Sequence, residues 1–130
     1  MKTQIKNNII EILGNEFCFD DIDFILMNGK IRVYLKDGQV SSVNAGFSNN
    51  DTVDCFRDII RVLSHNRDFI RFQDKTIVNM NNISNICYSV EGLTILTKGF
   101  SMRFNDVKKD QYLEMKREFD QKYCKNELYL

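Results

Sequence analysis

The chain holds 130 residues, 43% of them hydrophobic and 28% charged, enough apolar material for one core of its own, which excludes an intrinsically disordered chain. Lysine plus arginine and aspartate plus glutamate both number 18, so the cationic excess by which strongly basic proteins neutralise nucleic-acid phosphates is missing. The balance is uneven: residues 1–60 carry six bases and nine acids, and residues 61–130 carry twelve and nine.

In chain order, Ile5, Ile9, Ile12 and Leu13 recur at helical spacing behind Thr3 as a cap, with Gly14 as a left-handed stop, which predicts an amphipathic helix over 1–14. Ile22–Met27 and Lys30–Lys36 flank Asn28-Gly29, a pair suited to the positive φ angles of a type I′ hairpin turn. Ile31, Val33 and Leu35 alternate with Arg32, Tyr34 and Lys36, predicting a sheet with one core face and one largely wet face. Asp37-Gly38 turns the chain into Gln39–Ala45 and completes a three-stranded meander.

Asn49, Asn50 and Asp51 open a helix whose buried stripe is Val53, Phe56, Ile60 and Leu63, with acids early and Arg57 and Arg61 late, in keeping with the helix dipole. From Arg67 strand patterning returns over Phe69–Phe72, Thr76–Asn79, Ile83–Val90, Leu93–Thr97 and Phe100–Phe104. Asp106 caps a closing helix to about Cys124 with Tyr112, Met115, Phe119 and Tyr123 as its stripe, and Lys125–Leu130 trails off. The expected fold is α+β: one domain with antiparallel sheets in two meander-plus-helix units (22–65 and 67–124) and an N-terminal helix (1–14). Aligning the two units on Gly29 and Gly92 misaligns strand positions and helix starts, so only the coarse order repeats.

The stretch Thr76–Ile86, Thr-Ile-Val-Asn-Met-Asn-Asn-Ile-Ser-Asn-Ile, with the glycine-punctuated strands after it, resembles LytTR DNA-binding domains and bacterial pleckstrin-like β-modules. The likeness spans about 40 residues of strand-turn-strand apolar spacing. The long closing helix is closer to the pleckstrin-like pattern, near-neutral charge departs from a DNA reader, and the likeness assigns neither family.

Cys18, Cys55, Cys87 and Cys124 form no CxxC pair and read as reduced thiols, with neither a disulfide framework nor a zinc site. With no leader-like or membrane-length apolar segment, the chain reads as cytoplasmic. One alanine, no proline, fourteen asparagines and fourteen isoleucines match AT-rich coding, pointing to a bacterial or phage genome.

No GxGxxG, P-loop, HExxH or GxSxG motif occurs, and no cofactor is implied. His65, the only histidine, follows Ser64 at a helix end, where imidazole is expected on dipole grounds alone. Glu16, Asp20, Asp21 and Asp23 form an acidic segment suited to docking a basic protein partner, or as a third reading to holding Mg²⁺ in an enzyme. Lys108, Lys109, Lys116 and Arg117 make the closing helix basic and could serve nucleic acid, although Asp110, Glu114 and Glu118 alternate with them. The expected function is a non-catalytic cytoplasmic protein that binds another macromolecule, first a protein, for example as a phage or mobile-element inhibitor of a host nuclease or defence complex. The alternative is a nucleic-acid-associated regulator using the basic helix.

Overall fold

The computed structural model describes residues 3–43 and 49–127, with only the backbone of 4–6, 49 and 122–127. Among the described residues of the expected 1–14 helix, 3–14, none is helical. The chain there forms a three-stranded meander of β1 (Gln4–Lys6), β2 (Ile9–Ile12) and β3 (Asn15–Cys18). Asn7 and Asn8 both adopt positive φ (54° and 64°), as do Leu13 (49°) and Gly14 (85°), so two tight turns cut the segment where a helix would have continued. Ile10 and Ile12 are fully buried with Glu11 between them, a period of two that the spacing of Ile5, Ile9 and Ile12 hides. Isoleucine also packs more readily on a pleated surface than along a helix.

The central sheet has five antiparallel strands in the order β6-β5-β4-β8-β7, from β4 (Ile22–Asn28), β5 (Lys30–Leu35), β6 (Val40–Val43), β7 (Phe69–Phe72) and β8 (Thr76–Asn79). The expected wet face is absent, because each face of this sheet covers a core. Ile25, Ile31, Val33, Val43 and Ile77 pack against Ile10 and Ile12 of β2, Phe17 of β3, and Phe56, Ile59 and Leu63 of α1 (Asn49–Leu63). Phe24, Phe72 and Val78 pack against a third sheet and against Met115 of α2 (Lys109–Glu127). That third sheet, ordered β11-β10-β9, comprises β9 (Ile83–Ser89), β10 (Gly92–Thr97) and β11 (Ser101–Phe104). Leu93, Ile95 and Thr97 alternate inward along β10.

The coarse order of strands and helix repeats, and the structure reveals its register. Phe19 and Met80 open two 3-10 turns, Ile22 and Ile83 the strands after them, and Val40 and Ser101 the third strands, all at one common offset. Aligning on glycine misses it because Gly29 stands between β4 and β5 whereas Gly92 already belongs to β10. The two turns are stitched together by asparagine. Asn79 Nδ2 donates to the carbonyls of Phe19 (3.1 Å) and Ile22 (2.9 Å), and Asn82 Nδ2 to those of Asp20 (2.9 Å) and Ile22 (3.0 Å). These buried amides satisfy backbone acceptors that sheet pairing leaves over.

Candidate nucleic-acid interface

β4 and β7 both run toward the same end of the central sheet, and the backbone gathers turns there. Met27 N donates to Lys75 O (3.0 Å), setting the Asp74-Lys75 turn beside the Asn28-Gly29 hairpin. Gln73, at φ 57°, donates from Nε2 to Asn105 O (3.4 Å), and the Phe72 and Phe104 rings meet edge to face at 5.0 Å. The segment leading into α2 is therefore held at this same end. Tyr88 fixes it further, donating from its hydroxyl to Val107 O (3.3 Å) and stacking on Tyr112 with ring centroids 4.8 Å apart.

This hairpin end collects Lys30, Lys75, Lys108 and Lys109, all exposed, with half-buried Arg32 one strand position in. None of the five has an ion pair among the described residues. The acids nearby are partly engaged: Glu91 holds Arg103 at 2.8 Å, and Asp74 lies 3.9 Å from Arg71. Lys108 precedes the first turn of α2 and its carbonyl accepts from Gln111 N (3.0 Å) and Tyr112 N (3.2 Å). Cations at Lys108 and Lys109 oppose the helix dipole, so stability does not explain their position.

The four basic residues singled out from the sequence do not act as one patch. Lys109 and Lys116 share a face of α2 with Leu113, which is 50% exposed, but Lys116 is paired with Asp120 at 3.2 Å. Arg117 is exposed farther round the helix. Lys30, Arg32 and Lys75 were missed by the sequence reading, which follows position along the chain and not proximity between hairpin tips.

The acidic residues disperse instead of converging. Glu16 is exposed on β3 opposite Glu11. Asp20 is exposed in the first 3-10 turn, and Asp21 pairs with Lys36 at 3.2 Å. Asp23 is fully buried, accepting from Thr97 Oγ1 (2.7 Å) and Gly99 N (2.9 Å). Its burial corrects the expectation that Asp23 belongs to an acidic docking segment with Glu16, Asp20 and Asp21; the strand pairing shifts register between Ile22 and Phe24, where the Asp23 side chain is buried. Among the described residues no cluster of three histidine, cysteine or acidic side chains is placed to hold a metal. Cys18, Cys55 and Cys87 are free thiols, and the side chain of Cys124 lies outside the described residues. His65 is exposed just beyond α1.

The fold is thus a layered antiparallel β protein with one helix between its halves and one at its C-terminal end. Comparison with protein-family models and with curated proteins returned no match. Among solved structures, the chain is similar to the LytTr DNA-binding domain of a methyl-accepting/DNA response regulator from Bacillus cereus, with 14% identity and a TM-score of 0.53. The likeness covers 87% of this chain and 93% of that one, so it extends over most of the layered arrangement. Of the two kinds of module that the Thr76–Ile86 stretch resembles, the likeness in fold is to the LytTR side. It stands against the first expectation, a protein-binding module or inhibitor, because the solved structure that shares this scaffold is a DNA-binding domain. Among the described residues no helix is long and apolar enough to cross a membrane.

Proposed function

We propose that this chain is a non-catalytic DNA-binding domain of a cytoplasmic regulator, gripping the duplex backbone with its hairpin end and the start of α2. The observation that carries the reading is the end-to-end likeness to a DNA-binding domain. A fold alone transfers a scaffold and not a site, so the residues must supply the rest. They do so through Lys30, Arg32, Lys75, Lys108 and Lys109, brought to one end from three separate stretches and left without ion pairs among the described residues. In the middle of α2 the cations are mixed with Glu114, Glu118 and Asp120 and contribute less.

Zero net charge is compatible with this role, because phosphate contacts need a local excess and not a global one. With three to five phosphate contacts the log–log salt slope is about −3 to −4.5, far shallower than for a strongly basic protein. Fluorescence anisotropy with a labelled duplex, titrated over a salt series, tests the reading. Reversing Lys75, Lys108 and Lys109 to glutamate is expected to flatten the slope by about 3 and to weaken binding to every duplex alike. An affinity for duplex that ignores salt and these substitutions removes the proposal.

A further inference from the structure

Between the free edge of β7 and the flank of α2 runs a groove of about 650 Å³. Phe69, Ile70, Phe72 and Met115 are among the residues that line it. Its walls are oppositely charged: Arg67 and Arg71 stand on the strand side, Glu114 and Glu118 on the helix side. No ion pair among the described residues crosses from one wall to the other, and Arg71 reaches only back to Asp74. Asp110, Glu114 and Glu118 also follow one another at i,i+4, a like-charge spacing that works against an isolated helix. The acidic row therefore stands opposite a basic row that it does not touch.

We propose that this groove is the interface of a two-fold dimer, in which α2 of a second copy of this chain lies along β7. An isologous interface must be self-complementary, and two parallel rows of opposite charge meet that requirement. A two-fold axis along the groove exchanges its walls, so each basic row meets the other copy's acidic row. β7 runs toward the hairpin end and α2 runs away from it, so Arg71 and Glu114 are the members of each row nearer that end. The same axis keeps both hairpin ends pointing one way. The acidic wall argues against a nucleic acid as the occupant, and the proposal does not depend on the DNA-binding reading.

The test is mass by light scattering across a concentration series, with two charge-reversed chains, one carrying Arg67→Glu and Arg71→Glu and the other Glu114→Lys and Glu118→Lys. All four positions are surface-facing, and circular dichroism with a thermal melt confirms that each variant is folded. The expected result is a wild-type mass rising with concentration from 15.3 kDa toward twice that value, while each variant alone stays monomeric. An equimolar mixture of the two variants then forms the heterodimer, since the reversed rows complement each other. A wild-type chain that is monomeric throughout overturns the proposal and leaves the groove to a small amphoteric ligand. Variants that dimerise like wild type, or a mixture that stays monomeric, overturn it equally.

Discussion

Thr97 donates from Oγ1 to Oδ2 of Asp23 at 2.7 Å, joining β10 to β4 across 74 positions of the chain. Gly99 N donates to the same oxygen at 2.9 Å, and Thr97 Oγ1 also accepts from Phe100 N at 3.1 Å. One carboxylate thereby fixes the β10–β11 turn against the central sheet. Gly99 cannot be replaced cheaply, because a Cβ there would lie 2.6 Å from Leu35 O and 2.8 Å from Lys36 O. The residue that reads as part of an acidic surface is a pin between two layers.

Asp23→Ala is expected to destabilise the fold by about 2–4 kcal/mol, since it leaves a buried hydroxyl and a turn amide without their acceptor. Asp23→Asn keeps an acceptor and costs less. Urea denaturation of Asp23→Ala, Thr97→Ala and the double variant measures the coupling, expected at about 1 kcal/mol or more. Strict additivity would remove the pin.

Asn79 and Asn82 each serve two carbonyls near the first 3-10 turn, and Asn79 Oδ1 additionally accepts from Asn81 N at 3.0 Å. Either asparagine changed to alanine should lower stability by about 2 kcal/mol through unpaired buried carbonyls. Hydrogen exchange should locate the loosening at residues 19–22 and 80–83. Loosening confined to one turn would mean that the two do not support each other.

Asp20 and Asp21 lie at the end of the sheet remote from the hairpin tips. Reversing both to lysine removes the exposed Lys36–Asp21 pair, worth about 0–1 kcal/mol, so the melting temperature should hold nearly constant. Duplex affinity should not fall, in contrast to reversal of Lys108 and Lys109. A loss comparable to theirs would relocate the interface to this end.

Asp58 is held below the usual carboxylate range, first by its hydrogen bond from Arg61 and further by Thr3 N, which donates to Oδ2 at 3.0 Å, while partial burial pulls the other way. A lowered folded-state pKa stabilises above the unfolded value and ceases to do so as pH falls through the folded value. Wild type should therefore lose its advantage over Asp58→Asn on acidification, within and below the ordinary aspartate range. Melting curves of the two proteins across acidic pH check the sign, and a gap that widens toward low pH would contradict it.

Burial and then the nearby Asp58 carboxylate raise the Cys55 thiol above its usual range, whereas Cys18 and Cys87 are exposed. Thiolate supplies the reactivity, so Cys55 should label more slowly than Cys18 and Cys87 under native conditions. Denatured, unreduced protein should titrate four thiols, the full cysteine count of the chain. Timed alkylation with peptide mass mapping separates the sites, and early labelling of Cys55 would mean that the packing of α1 is looser than described.

Short-range pattern determined much of this protein. Asn28-Gly29 and Asp37-Gly38 mark turns, and Gly29 (φ 71°) and Gly38 (φ 92°) take the left-handed angle there, but Asn28 does not take the positive φ that the expected type I′ turn requires. Periodicity and dipole specify α1: of the expected stripe Val53, Phe56, Ile60 and Leu63, Phe56 and Leu63 are buried, while Val53 and Ile60 are half-buried and Ile59 is fully buried instead. The same logic misled at Ile5, Ile9 and Ile12, where one spacing serves a helix or a turn-broken pair of strands. Pairing with β3, which no local window contains, settled it. Burial of Asp23, coverage of both faces of the central sheet and the meeting of Lys30, Lys75 and Lys108 at one end were decided only by tertiary structure. Each depends on contacts between residues tens of positions apart, and side-chain periodicity records which way a residue points but not what it will meet there.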